Sequence, residues 1–290
     1  MFSRLKAPAA LLAGLLLLVA TPALAQPAMW VIKDRDSTIY LFGTVHVLKK
    51  DTVWRSPRME AALASADELW LELDDADDTT AMQSLVNSLG MDPANPLSGR
   101  LAEAERARYD AALNRAGIPL GALDGMKPWM AGLTLSVLPL MKAGYDPTYG
   151  VDGLLKADAR TAGKAVRAFE SSERQLRLFD SLPLETQVAF LMTSVDEMEE
   201  SSTSLDSLVA NWSKGNISGL EEEMVRPMRK DSPGLYKALL TDRNVAWAEV
   251  LAERLKGQGV SFVAVGSAHL VGRDSVQVQL ARRGIRARRY

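Results

Sequence analysis

The amino-acid sequence predicts an α/β fold, in which a mixed central sheet is assembled from both ends of the chain and carries a mostly helical insertion lobe. Three observations lead to this prediction. Short apolar strand patterns cluster near both ends of the chain. One more strand pattern lies near residue 167, and long helical patterns fill the intervals on either side of it. Strands from distant parts of the chain must therefore share one sheet.

Residues 1–25 have the layout of a secretory signal peptide. Two positive charges precede an apolar run from Leu11 to Ala20, and small residues end the segment at Ala25. An uncleaved membrane anchor is the alternative, since about 19 mostly apolar residues are enough to span a bilayer. The helix-breaking Pro22 favours cleavage after Ala25. We therefore expect a periplasmic or secreted protein that keeps no stable membrane anchor after cleavage.

The first part of the mature chain predicts a hairpin, a helix and a strand. Two short strands, Trp30–Lys33 and Thr38–Phe42, flank a polar turn, which is a hairpin signal. Ser56 and Pro57 suit the start of a helix, because serine caps the first turn and proline is tolerated there. Leu69–Leu73 then reads as a third strand.

Helical patterns fill most of the middle of the chain. The first runs from Thr79 to about Ala143, with turn signals at residues 92–96, Gly117 and Gly121. Ala165–Phe169 follows as a strand.

The second helical pattern covers residues 173–256, with breaks at Pro183, Gly215 and Pro233. A strand at Ser261–Val265, a helix at Val276–Arg283 and a last strand at Ile285–Arg289 complete the pattern. We therefore expect residues 26–290 to form a single domain, with helical insertions at about 79–160 and 173–256.

Composition excludes several classes of function. The formal net charge of −2 leaves no excess of basic residues to neutralise the phosphates of a nucleic acid, so we expect no nucleic-acid partner. The absence of cysteine rules out thiolate zinc sites, iron–sulfur clusters, cysteine nucleophiles and disulfides. The motifs of helical zinc proteases, serine-hydrolase elbows, P-loops and dinucleotide sites do not occur. Any imidazole chemistry depends on two histidines, His46 and His269.

The two histidines stand in the same local pattern. Each follows an apolar strand by a short G-x-x-H step, from Gly43 to His46 and from Gly266 to His269. Glycine at a strand exit permits a sharp turn or a close approach to a ligand, and ligands of open α/β sheets bind beyond strand ends. We therefore expect both imidazoles to face one cleft at one edge of the sheet.

Carboxylates at neighbouring strand ends are the candidate partners of these histidines. Glu72 is a charge within an apolar strand, and Glu170 follows the strand near residue 167. Two histidines with one or two carboxylates suit a divalent ion that activates water, or general-base catalysis without a metal. The structural alternatives are an ion pair of Glu72 with Arg243, and a helix N-terminal charge at Glu170.

Large apolar side chains in the helical patterns are expected in the core. They are Trp129, Trp212 and Trp247 together with Met126, Met130 and Met141. A methionine-lined groove for peptides is the alternative for the methionines.

The paired G-x-x-H motifs and several further segments resemble the TraB/PrgY/GumN family, whose eukaryotic relatives are the Tiki metalloproteases. The other matching segments are Leu71-Glu72-Leu73-Asp74, Lys127-Pro128-Trp129, Gly150-Val151-Asp152, Gly163-Lys164-Ala165-Val166 with Glu170 and Gln175, Arg243-Asn244 with Trp247, and Phe262 to Gly272. The resemblance implies an α/β fold with a helical insert and, for Tiki, metal-dependent peptide cleavage. His46 and His269 would be ligands or bases, Glu72 and Glu170 the acidic members, and Arg243 a polariser or carboxylate partner.

The first functional hypothesis is an exported hydrolase, namely a metal-dependent peptidase. His46, Glu72 and His269 would hold a divalent ion (Mn, Co or Zn), and Glu170 would handle the proton. The resemblance extends to erythromycin esterases and to haem-binding lipoproteins, so two alternatives stay open. One is metal-free hydrolysis of an ester or lactone, and the other is a non-catalytic protein that binds haem, a metal or a peptide. The expected partner is a peptide or small-molecule substrate.

Overall fold

The computed structural model describes residues 26–198 and 203–290 of the chain. It confirms the α/β class with a mixed central sheet, because the sheet combines parallel and antiparallel strands and is surrounded by helices. The expected signal peptide, residues 1–25, lies outside the described residues. In the described part of the chain, no helix combines the length and apolar character that a bilayer crossing requires.

The central sheet has six strands in the order β4-β3-β5-β2-β1-β6. Their bounds are β1 Met29–Lys33, β2 Ser37–Thr44, β3 Glu68–Leu71, β4 Ala165–Ala168, β5 Gly259–Gly266 and β6 Arg288–Arg289. β4, β3, β5 and β2 run parallel, whereas β1 is antiparallel to both β2 and β6. Strands from both ends of the chain thus alternate in the sheet, and four carboxyl ends meet at one edge.

Helices occupy the intervals between the strands. The α-helices are α1 Pro57–Ser65, α2 Thr79–Leu85, α3 Glu103–Ala116, α4 Pro128–Lys142, α5 Val151–Thr161, α6 Ser172–Asp180, α7 Leu184–Glu197, α8 Thr203–Ser213, α9 Ile217–Leu220, α10 Arg226–Asp231, α11 Pro233–Tyr236, α12 Asp242–Leu255 and α13 Val276–Ala281. Short 3-10 turns span Leu97–Arg100, Pro147–Tyr149 and Ser267–Leu270, and π-helical turns span Val86–Gly90, Glu221–Val225 and Lys237–Thr241. The last π-helical turn leads directly into α12.

Apolar side chains pack on both faces of the sheet, and a further core lies among the helices of the 79–198 region. Successive residues of β2 alternate between the faces, so Phe42 belongs to one core and Leu41 to the other. The tryptophan predictions are confirmed, since Trp129, Trp212 and Trp247 are all fully buried. The prediction for Met141 is wrong, because it is 49% exposed. It lies in the last turn of α4, whose buried residues all precede it.

The bounds of all six strands differ by at least one residue from the sequence prediction, and the differences in β3 and β6 affect the site and the edge of the sheet. β3 ends at Leu71, so Glu72 follows the strand instead of lying within it. Its carboxylate accepts a hydrogen bond from the backbone of Gly266, at the end of β5. The last strand is only two residues long, and the preceding Ile285 and Ala287 are partly buried against the apolar core on one face of the sheet.

Candidate active site

Four predicted site residues lie just beyond four neighbouring parallel strands. His46 follows β2, His269 lies in the 3-10 turn after β5, Glu72 follows β3 and Glu170 follows β4. The carboxyl edge of a parallel sheet is where ligands of open α/β folds bind. The sheet order therefore brings together side chains that are far apart along the chain, as the two G-x-x-H motifs predicted.

Gly266 is the point that the two histidines and Glu72 share. A Cβ on this residue would stand 2.9 Å from Glu72 Oε1 and 3.2 Å from His46 Nε2. It would also stand 3.7 Å from His269 Cδ2, so both rings border the same small volume. Any larger residue would push these groups apart. The glycine of the second G-x-x-H motif is therefore required for close approach.

Asp152 orients the ring of His46. The His46 Nδ1 and Asp152 Oδ2 atoms are 2.8 Å apart, and Thr44 Oγ1 donates to the other carboxylate oxygen at 2.8 Å. Because the carboxylate only accepts, Nδ1 carries the proton in the neutral form of the ring, and Nε2 then keeps its lone pair. Asp152 lies in the first turn of α5, where the helix dipole favours a negative charge.

The start of α5 is held against the backbone of His46. Val151 N–H donates to the Val45 carbonyl at 3.0 Å. A Cβ on Gly150 would stand 2.2 Å from the His46 carbonyl oxygen, so only glycine permits this approach. Backbone contact therefore fixes the distance between Asp152 and the imidazole.

His46 is the solvent-facing group of the site. Its side chain is 63% exposed, whereas those of Glu72, Arg243 and His269 are less than a tenth exposed. The charge of Asp152 and the hydrogen bond between the two side chains raise the pKa of His46 to about 9. This ring is therefore the group that a molecule arriving from solution meets, and its proton affinity is high.

His269 is buried and neutral. Its Nδ1 is 2.6 Å from Asn244 Oδ1, and the Asn244 amide nitrogen donates to the Asp274 carbonyl, which fixes the orientation of the amide. Nδ1 therefore carries the proton, and Nε2 accepts from Arg243 Nη1 at 3.1 Å. Burial lowers the pKa of His269 to about 3.

Arg243 joins the buried acidic groups. Its Nη2 donates to Glu72 Oε2 at 2.5 Å, and its Nε donates to Glu170 Oε2 at 3.0 Å. The ion pair of Glu72 with Arg243, which was the structural alternative for Glu72, is therefore present. The guanidinium also lies over the ring of Trp247, 4.6 Å from its centroid, and Trp247 packs on the His269 ring at 4.3 Å.

The carboxylates of Glu72 and Glu170 each accept hydrogen bonds on both of their oxygens. Burial by itself would raise the pKa of Glu72, but the neighbouring His269, Arg243 and His46 lower it to about 2. Gln175 donates to the same carboxylate at 3.2 Å. Glu170 accepts from the indole N–H of Trp247 at 3.0 Å, so its role goes beyond a helix N-terminal charge.

The expected ligands of a divalent ion do not fit one as they are arranged here. His269 Nε2 and Glu72 Oε2 both accept hydrogen bonds from Arg243. An ion bonded to His269 Nε2 at about 2 Å would displace that donor and stand beside its positive charge. Among residues 26–198 and 203–290, no three histidine or acidic side chains are grouped to hold a metal. Metal dependence therefore stays a prediction from the sequence.

Sequence reasoning did not assign roles to Asp152, Asn244 and Gln175. All three lie within segments that carry the family resemblance, so their positions were visible but their partners were not. Each comes from a helix, and each reaches a strand-end residue more than 20 positions away. Residue type and local pattern contain no information about such long-range pairs.

Burial of a neutral His269 makes stability depend on pH. In the unfolded chain this histidine titrates near its ordinary pKa of 6.5, whereas the folded value is about 3. Between these values the unfolded state binds the additional proton, so stability is lost as the pH falls. Relative to the His269→Gln variant, the wild type is expected to lose about 2 kcal/mol between pH 6.5 and 5. Urea unfolding at both pH values measures the difference, and equal pH dependence in the two proteins would contradict it.

Comparison with known proteins finds a family profile and a distant relative. The sequence profile of the TraB/PrgY/gumN family matches residues 28–289. An uncharacterized protein of Treponema pallidum (strain Nichols) is 20% identical over 260 residues, which cover 85% of this chain and 78% of that protein. No solved structure matches the chain.

Proposed function

This chain belongs to the TraB/PrgY/gumN family, and from the geometry of its site we propose that it is a hydrolase that cleaves an ester, lactone or peptide bond with water. The observation that carries the proposal is the pair formed by His46 and Asp152. A carboxylate holds Nδ1 of a solvent-facing imidazole at 2.8 Å and leaves Nε2 free as a base. A positioned base of this kind is a frequent element of hydrolytic sites.

The proposed reaction uses His46 first as a base and then as an acid. Nε2 takes a proton from water while the water oxygen attacks the carbonyl carbon of the substrate. The bond from that carbon to the leaving oxygen or nitrogen then breaks, and the imidazolium returns the proton to the leaving group. Asp152 keeps the ring in the required tautomer and stabilises its positive charge in between.

The buried groups behind His46 act as positioning residues in this proposal. Arg243 fixes Glu72 and Glu170, and Glu72 in turn bonds the backbone at Gly266, against which the His46 ring lies. The negative charge of Glu72 also raises the pKa of His46. His269 contributes by holding Arg243 through a neutral nitrogen. None of these four side chains needs to contact the substrate.

Metal-dependent peptide cleavage remains the second candidate because of one feature. Both histidines have Nδ1 bonded to a side-chain oxygen, and metal-bound histidines commonly make such a bond through the nitrogen that does not bind the metal. Against metal binding, Arg243 donates hydrogen bonds to two of the three expected ligands, His269 Nε2 and Glu72 Oε2. We propose export to the periplasm or medium on the sequence of residues 1–25 alone.

A substrate panel tests the proposal. The purified protein is incubated with p-nitrophenyl esters, an acyl-homoserine lactone and a set of fluorogenic peptides. Each reaction is run with EDTA and, separately, with added Mn, Co or Zn. We expect turnover of at least one class that persists in EDTA and is lost in the His46→Ala variant prepared in parallel.

Three other results would contradict the proposal. Turnover that EDTA abolishes and one added ion restores would select the metal-dependent peptidase. Turnover that survives in the His46→Ala variant would remove His46 as the base. Stoichiometric uptake of haem or peptide, with no product from any substrate, would indicate a binding protein.

A further inference from the structure

The β6 edge of the sheet carries a concentration of exposed positive charge. We call it the basic edge, and its residues are Lys33, Arg58, Arg286, Arg288 and Arg289. Arg288 and Arg289 form β6 and pair with Val31 and Trp30 of β1. The five side chains are exposed, and they belong to a chain whose overall formal charge is negative.

In the described part of the chain, the cations of the basic edge have no acidic partner. No carboxylate side chain there lies within 4 Å of Arg58, Arg286 or Arg288, whereas several exposed arginines on helices, such as Arg106, are paired. Of the acids that follow Lys33, Asp34 accepts from the hairpin backbone and Asp36 forms an ion pair with Arg35. The described residues therefore leave the positive charge at this edge uncompensated.

Aromatic rings hold two of these cations in place. The Arg58 guanidinium lies over Tyr290 at 4.6 Å, and that of Arg289 lies over Trp30 at 5.0 Å. Burial, together with the charge of Arg58, lowers the pKa of Arg289. Two like charges are thus kept near each other, an arrangement that an external anion would stabilise.

The chain enters the described structure beside the basic edge. Gln26 N–H donates to the Ser213 carbonyl at 2.8 Å, and Arg289 Nη2 donates to the Gly215 carbonyl at 3.2 Å. A Cβ on Gly215 would stand within 3 Å of both Gln26 O and Arg289 Nη2. The apolar segment 1–25 therefore joins the domain next to these arginines.

We propose that the basic edge is a docking surface for the headgroups of anionic phospholipids, which seats the domain on a membrane. Arginine pairs well with phosphate through its planar fork of donors. Polybasic surfaces bind anionic bilayers in this way. The segment and the surface would act on the same membrane, the first during export and the second afterwards. Nothing in this proposal depends on the hydrolase assignment.

Vesicle sedimentation with the full chain tests the proposal. Vesicles contain either phosphatidylcholine alone or phosphatidylcholine with 30% phosphatidylglycerol, at about 0.1 M salt. The test variant is R58Q/R286Q/R288Q. The control variant, R106Q/R177Q/R226Q, removes the same total charge from arginines that are 56–61% exposed and paired along helices. Residues 1–25 are common to all three proteins, and their own contribution is measured as binding to phosphatidylcholine vesicles and subtracted.

The wild type and the control are expected to bind anionic vesicles alike. The test variant should bind them on the order of 100-fold more weakly, at about fivefold per lost charge. Binding of the wild type should also weaken with salt and be far lower on phosphatidylcholine. Circular dichroism melting confirms that all three proteins are folded.

Three outcomes would overturn the proposal. One is equal loss of binding in the test and control variants, which would indicate total charge instead of this surface. Another is equal binding to both kinds of vesicle. A third is tighter binding of duplex DNA than of anionic vesicles at the same salt, which would assign the basic edge to nucleic acid.

Discussion

Replacing Asp152 with asparagine is expected to lower kcat by a factor of about 10² to 10⁴, the range that a positioned general base contributes. The carboxylate accepts the Nδ1 proton of His46, whereas an amide can turn its N–H₂ toward that nitrogen. The ring would then carry its proton on Nε2 and lose the lone pair that takes the proton from water. The substrate identified by the panel supplies the assay.

The pH profile distinguishes this role from simple structural damage. Asp152 is the largest cause of the raised pKa of His46, which is about 9. Since the base form reacts, kcat/KM of the wild type should rise with pH through a midpoint well above 6.5. In the Asp152→Asn variant the midpoint should move down toward 6.5.

Asp158→Asn is the matched control for this experiment. Asp158 lies on the same helix and makes an ion pair with Arg55, with both side chains partly exposed. Its loss should leave both kcat and the midpoint unchanged. An Asp152→Asn protein with the wild-type midpoint and kcat would show that His46 does not act through Asp152.

The strand-end placement of the site was predictable because it depends on local sequence. An apolar run followed by G-x-x-H marks a strand exit in each of two segments. Because β2 and β5 pair in parallel, both exits lie at the same edge of the sheet. The same logic reached Glu72 and Glu170. Each of these predictions uses only a residue and its immediate neighbours along the chain.

The partners of the site residues depend on tertiary packing and were not predictable in the same way. Asp152 reaches His46 because Gly150 lets α5 approach the end of β2. Asn244 reaches His269 only because α12 packs against the face of the sheet that carries Leu41 and Val265. By residue type alone, His46, Glu72 and His269 also formed a complete ligand set for a divalent ion. Its arrangement became clear only when Arg243 was found bonded to two of the three expected ligands.

Replacing Arg243 with methionine is expected to lower the free energy of unfolding by about 3 to 5 kcal/mol, the usual cost of removing one partner of a buried ion pair. Glu72 and Glu170 have side chains that are 9% and 1% exposed, and both would lose their positive partner. Methionine fills a similar volume, so the loss reports the uncompensated charges and not a cavity. Urea unfolding at pH 7 measures the difference.

The control is Arg226→Met, which removes an exposed pair with Glu222 on one helix and should change stability by less than about 0.5 kcal/mol. Adding Glu170→Gln to the Arg243 variant should recover part of the loss, because the uncharged amide is easier to bury. Lysine at 243 should be nearly as harmful as methionine, since one ammonium group cannot reach Glu72, Glu170 and His269 together. A small effect in Arg243→Met, equal to that of Arg226→Met, would mean that the two carboxylates take up protons or other cations. The site would then be open to a divalent ion after all.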